Sequence, residues 1–155
     1  MKLLVISDSH GARDNLARFA LLAHRLHADT VIHLGDHADD LSPQALPCPL
    51  ITVRGNCDWI SSVPQQRMER FDGVETLLCH GHLFGVKSGF GTLEAYAGRQ
   101  GAALALFGHT HQSVVVRRAG LLLVNPGTAQ SVQFPSCAQI TIQNAAVTQA
   151  EILTF

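Results

Sequence analysis

No block of lysine or arginine occurs anywhere in the chain, and residues carrying either charge make up only 15% of its 155 positions, with a formal net charge of −1. A surface that grips polyanions needs a basic patch or stripe, so non-specific nucleic-acid and anionic-membrane binding have no electrostatic footprint here. No apolar stretch approaches the roughly 18 residues of a membrane span. The four cysteines show no C-x-x-C spacing, and MKLLVISDSH is too short for a secretory apolar region, running straight into polar residues. The expectation is a cytoplasmic protein with reduced thiols. Repeats, linkers and low-complexity tracts are missing too, which leaves one domain, 1–155, long enough to bury a core without disulfides.

What is present is an apolar chain (46% hydrophobic), as a buried sheet covered on both faces requires. Five apolar runs each stop at a metal-ligand type of residue: LLVIS before Asp8-Ser9-His10, VIHLG before Asp36, ITVRG before Asn56, ETLLC before His80, and LALFG before His109-Thr110-His111. Each run has the length and β-branched or leucine content of a buried strand. In open α/β sheets the ligand crevice lies beyond the carboxyl ends of parallel strands, so the five ends can converge.

The remaining elements follow from local pattern. Lys2–Ser7, Thr30–Leu34 and Leu50–Arg54 read as strands. Asn15 is expected to cap a helix whose apolar positions Leu16, Phe19, Ala20, Ala23 and Leu26 recur at three or four residues. Pro43, Pro47 and Pro49 permit at most one helical turn between the second and third strands. Asp72-Gly73 marks a hairpin between Gln66–Phe71 and Glu75–Cys79. A short helix over Thr92–Arg99 ends towards Gly101, and Ala102–Phe107 is a strand. Two more hairpins turn at Ala119-Gly120 and at Asn144. The order is β-α-β and then mostly antiparallel β, expected to form two sheets face to face with few helices outside.

D-x-H and H-x-H each set two ligands at i and i+2, which in extended backbone face the same side. Two divalent cations about 3.5–4 Å apart need an anionic bridge, and Asp36 on its glycine turn is the candidate. Mixed imidazole, carboxylate and amide ligation suits manganese, iron, nickel or zinc better than calcium or magnesium. A closed structural zinc is disfavoured because cysteine is missing from the set.

The ordered series D-x-H, G-D-x-x-D, G-N-x-D, H-G-H and G-H-T-H, followed by N-P-G-T, resembles the calcineurin-like metallophosphoesterase superfamily. S-D-S-H-G, G-N-C-D-W and H-G-H-L-F-G-V-K resemble its small bacterial branch of YfcE-type phosphodiesterases. The resemblance spans Met1 to Thr128 and implies an α/β fold: a four-layer α/β/β/α sandwich of two mixed sheets, with the metal site at the strand ends. It further implies two divalent metal ions, manganese foremost, with nickel, iron or zinc as alternatives. Asp8, His10 and His111 would hold one and Asn56, His80 and His109 the other, with Asp36 bridging and Asp39 orienting a ligand. The function implied is hydrolysis of a small-molecule phosphodiester by in-line attack of a metal-bridging hydroxide. Many relatives carry His where Cys57 stands, so the general acid is open between Cys57 and His82, the latter oriented by Asp58. A phosphomonoesterase or nucleotide pyrophosphohydrolase would use the same residues. A non-catalytic scaffold on this fold is the reading the intact ligand set least favours. Exposed faces of the later hairpins leave a homodimer open.

Two apparent motifs fail. Gly89-Phe-Gly91 is followed by Glu94 rather than the third glycine of a dinucleotide loop, and Val86-Lys87-Ser88 lacks the glycine a phosphate loop places before its lysine.

Overall fold

A computed structural model describes residues 1–155 throughout. Ten strands and two helices follow in the order β1 (Lys2–Ile6), α1 (Arg13–Leu26), β2 (Thr30–His33), β3 (Leu50–Thr52), β4 (Gln66–Phe71), β5 (Val74–Cys79), α2 (Gly91–Arg99), β6 (Leu104–Leu106), β7 (Ser113–Arg118), β8 (Leu121–Pro126), β9 (Ser136–Gln143) and β10 (Ala146–Thr154). One sheet has the order β10-β9-β1-β2-β3, the other β4-β5-β6-β8-β7.

The two-residue period of each strand sorts its side chains into separate layers. Leu3 and Val5 of β1, Leu104 and Leu106 of β6, and Leu122 and Val124 of β8 meet between the sheets in a core of 15 buried residues. Leu4 and Ile6 turn the other way, onto Leu16, Phe19 and Ala23 of α1. Leu77, Ala105, Leu121 and Leu123 likewise face Leu93 and Ala97 of α2. The result is the α/β/β/α sandwich, and burying each such large side chain contributes about 1.5–3 kcal/mol.

The second sheet is mixed, as the resemblance implies, and not the mostly antiparallel one that local pattern predicts. β5, β6 and β8 run parallel to one another, with β4 and β7 as antiparallel edges. The helix α2 returns the chain between β5 and β6, and β7 returns it between β6 and β8, so three carboxyl ends share one rim. β1, β2 and β3 are also parallel. Their carboxyl ends supply the other candidate ligands.

Asn15 does not cap α1. The helix begins at Arg13 behind Ala12, without a side-chain cap. The Asn15 amide instead donates to the carbonyls of Ala129 and Ser131 at 2.8 and 2.9 Å, tying the helix to a loop more than a hundred residues away. The Pro-rich stretch holds a single 3-10 turn at Pro43–Ala45.

Candidate functional site

Five candidate ligands sit in left-handed backbone: Asp8 (φ 55°), His10 (43°), Asp36 (58°), His109 (69°) and His111 (60°). Non-glycine residues seldom adopt this region, and clusters of them mark sites where the fold over-determines the backbone. The D-x-H and H-x-H pairs therefore do not converge through extended backbone, as the i, i+2 rule supposes. Each pair is turned inward by a left-handed conformation at both of its members.

Asp36, Asn56 and His109 each follow a glycine, and close approach requires it there. A Cβ on Gly55 would overlap the Asp36 carboxylate, and one on Gly108 would overlap the Ser7 hydroxyl and crowd Asp8. The loops are packed against one another at their glycines, and this holds the ligand atoms together.

Two clusters result. In one, His111 Nε2 lies 3.0 Å and His10 Nε2 4.0 Å from Asp8 Oδ1. In the other, His80 Nε2 is 3.4 Å from Asp36 Oδ2 and 3.2 Å from His109 Nδ1. The ligand atoms of Asp8, His10 and His111, and those of Asp36, His80 and His109, lie within 4.8 Å of each other in each set. Asp36 Oδ2 also lies 3.6 Å from His10 Nε2, so this carboxylate touches both. Asn56 stands at the exposed rim beside Cys57, its amide 3.4 Å from the thiol sulfur.

The donor set suits a divalent cation. Asp8 Oδ1 is buried and accepts no hydrogen bond, an expense that a fold rarely leaves uncompensated. His80 Nδ1 is 2.8 Å from the Leu34 carbonyl. A ring anchored there can offer its Nε2 to a cation in the cluster, the arrangement typical of a ligating histidine. Burial alone would raise the Asp36 carboxyl, but hydrogen bonds from His80 and from the Cys57 N–H hold it well below the usual carboxylate range. Burial lowers His80, and the Asp36 hydrogen bond with the Asp8 and Asp36 charges more than reverses that. Burial, with His80 and Lys87 nearby, pushes His109 down to about 4.

The supporting contacts differ from those expected. Asp39 is exposed and hydrogen-bonds to no candidate ligand, whereas Asp40 Oδ2 accepts from Ser9 Oγ at 2.9 Å and from the Gly11 N–H at 2.7 Å. Asp58 does not orient His82. Its carboxylate accepts the N–H groups of Gly55, Asp36, His37 and Ala38 at 2.7 to 3.0 Å, locking the G-D loop to the G-N loop. His82 stands beside His80 and His109, with a buried Nδ1 that has no partner. Cys57 Sγ lies within 4.8 Å of the His10 and Asp36 ligand atoms.

Three contributors were not singled out by local pattern. His33 is buried and bridges Gly35 N–H to Ser9 Oγ. Asn125 donates to the Gly108 carbonyl and to Thr110 Oγ1, and Thr128 Oγ1 donates to the Asp8 carbonyl. The N-P-G-T segment thus fastens the D-x-H and H-x-H loops; its presence in the motif series was the one available signal.

The comparisons agree with this geometry. A family model described as the calcineurin-like phosphoesterase superfamily domain matches residues 1–145. "Probable metallophosphoesterase YsnB" of Bacillus subtilis is 33% identical over 154 residues, covering 96% of this chain and 88% of its own. "Phosphodiesterase YfcE" of Escherichia coli K12 is 31% identical over 161 residues, covering 87% and 81%. A solved structure from Streptococcus pneumoniae, a predicted phosphoesterase, superposes with a TM-score of 0.80 at 25% identity, over 99% of this chain and 88% of that one. Fold, ligand clusters and sequence agree, and the chain belongs to the calcineurin-like phosphoesterase superfamily as a metallophosphoesterase.

Proposed function

We propose that the protein is a phosphodiesterase working at a dinuclear metal site, one domain acting on a small-molecule diester. The observation that carries this reading is the pair of clusters, Asp8-His10-His111 and Asp36-His80-His109, touching through Asp36. Asp36 is proposed as the bridge, with Asn56 completing the second set from the rim. YfcE, a relative named for phosphodiesterase activity, supports the diester substrate.

Bound there, two divalent cations, manganese foremost, would acidify a water and neutralise charge developing on the phosphoryl oxygens. The chain's own residues prepare that chemistry. Asp58 and Asp40 fix the two loops, and the Leu34 carbonyl sets the His80 ring. Water would attack phosphorus in line, and Cys57 or His82 would supply the proton that the leaving oxygen takes. Basic side chains are few at this rim, which favours the singly charged diester over a terminal phosphate dianion.

The proposed site of action is the cytoplasm; no helix is long and apolar enough to cross a membrane, and all four cysteines are free. The free edge of β10 is the surface through which two copies could pair.

The test is hydrolysis of a chromogenic diester by chelator-stripped protein, with manganese, nickel, zinc or magnesium restored singly and the matching monoester alongside. Metal-dependent turnover favouring the diester is expected. Monoester preference would move the assignment to a phosphomonoesterase, and metal binding without turnover of either would favour a scaffold.

A further inference from the structure

The turn that follows Asn56 carries two large apolar side chains where turn chemistry asks for none. Asp58 to Ser61 form a β-turn closed by the Ser61 N–H on the Asp58 carbonyl at 3.3 Å, with Trp59 and Ile60 as its central residues. Such positions go to glycine, proline, asparagine, aspartate and serine for their backbone preferences or local hydrogen bonds. Trp59, the only tryptophan of the chain, is 86% exposed, and Ile60 is fully exposed. Neither serves the core.

The turn is clamped at both ends. Asp58 holds four backbone N–H groups, that of Asp36 among them. Arg54 donates its Nη1 to the Ser61 carbonyl at 3.2 Å and its backbone N–H to the Pro64 carbonyl at 2.9 Å. The turn that carries Trp59 is therefore anchored by the same carboxylate that holds the Asp36 N–H.

Trp59 and Ile60 wall a cavity of about 520 Å³ together with Cys57, Asp58, Asp39 and Asp40. Cys57 joins it to the metal cluster, next to His10 and Asp36. Three carboxylates line it with neither lysine nor arginine, and the His37 imidazole on its wall lies 3.7 Å from Asp40 Oδ2. Asp58 and Asp40 spend oxygens on loop N–H groups and on Ser9, but Asp39 makes no hydrogen bond or ion pair. The neighbouring cavity past His10 lacks this bias, since Arg13 and Arg18 there offset Asp14.

We infer that the Trp59 cavity receives a cationic ester arm, so that the substrate is a phosphodiester of an amino alcohol. Its ammonium or trimethylammonium head lies against the indole face, with Asp39 beside it. A cation over an indole gains from the ring quadrupole, and the acidic wall repels an arm bearing phosphate or carboxylate. The inference rests on the diesterase reading, to which Trp59 adds specificity rather than chemistry.

Two measurements test it. The manganese-loaded protein is given p-nitrophenylphosphorylcholine and its uncharged isostere, 3,3-dimethylbutyl p-nitrophenyl phosphate. In each, water bonds to phosphorus as the bond to p-nitrophenolate breaks. Separately, choline and 3,3-dimethylbutanol are titrated while Trp59 fluorescence is followed, a signal with no other source in this chain. The expected result is kcat/KM roughly tenfold higher for the choline diester, expressed in KM, and a saturable fluorescence change with choline alone. Trp59→Ala brings the two kcat/KM values together, Trp59→Phe recovers part of the preference, and Asp39→Asn reduces it. Equal kcat/KM for the two diesters, or a Trp59→Ala protein that lowers both while keeping their ratio, overturns the inference. If neither diester is hydrolysed, the diesterase reading has failed, and the choline titration decides the subsite alone: a saturable change that the isostere does not produce upholds it, and no change overturns it.

Discussion

The backbone N–H of Cys57 donates to Asp36 Oδ1 at 2.8 Å, which leaves Oδ2 facing His80 at 3.4 Å and His10 at 3.6 Å. One oxygen is spent on the loop that follows β3, and the other faces imidazoles from both ligand clusters. That division fixes the carboxylate's rotation before any cation arrives, the kind of preorganisation a dinuclear site needs.

Asp36→Asn removes the bridging charge while keeping the shape. Turnover of a diester should fall by roughly 10²-fold or more, and the second metal should be lost from calorimetric titration, with the far-UV CD spectrum unchanged. His109→Ala should act likewise through the second cluster. Wild-type turnover in either purified protein would refute the proposed ligand set.

Asp58 is predicted to matter to stability as much as to activity. Replacing it with alanine strands four N–H groups in a half-buried loop junction. Hydrogen bonds to charged groups are individually worth about 1.5–3 kcal/mol, and water reaches part of this junction. A net loss of about 2–4 kcal/mol in urea unfolding is expected, together with weaker metal binding because Asp36 loses its backbone anchor. A loss confined to activity would mean the staple is not structural.

The extent to which this was legible from sequence divides along a physical line. Strands and the seven candidate ligands are encoded locally: an apolar run, a glycine and a polar residue appear within a few positions, and the glycine is demanded by the close approach seen at Gly55 and Gly108. Contacts between distant loops are not encoded that way. Asn15 has the composition of a cap, yet its amide serves Ala129 and Ser131. Asp39 and Asp40 are adjacent and chemically alike, and only the path of the G-D loop sends Asp40 to Ser9. Asp58 looks like a partner for a histidine and is instead an acceptor for backbone. The i, i+2 spacing was informative, but the left-handed backbone behind it depends on loop packing that no short motif contains.

His33 ties stability to pH. Burial pushes its imidazole down to about 4, against the raising influence of the Asp58, Asp8 and Asp40 charges. The unfolded chain has the ordinary value near 6.5. The neutral, buried histidine therefore contributes its full stability above pH 6.5, and that stability is lost as pH falls from there to about 4, because the unfolded state takes up a proton the native state refuses. At 1.36 kcal/mol per unit the loss approaches about 3 kcal/mol. His33→Gln keeps a donor for Ser9 without titrating, so its urea stability should decline less over this window than the parent's. Parallel curves for the two proteins would place the titration elsewhere.

The leaving group's proton is the last point the residues bear on. Burial, then the charges of Asp36, Asp58 and Asp8, raise the Cys57 thiol above its ordinary value, an influence that cations bound beside Asp36 and Asp8 would oppose. Burial and His80 lower the His82 imidazole, so it is neutral, with its one proton on either ring nitrogen. A donor must stand at the reaction rim, and Cys57 does so beside His10 and Asp36. Cys57→Ala should therefore slow a diester with an alkyl leaving group by roughly 10²-fold more than one releasing p-nitrophenolate, which departs without protonation. Equal losses on the two esters would remove the thiol from the role. A larger disparity in His82→Ala would transfer it to that imidazole, whose Nδ1 is buried without a partner.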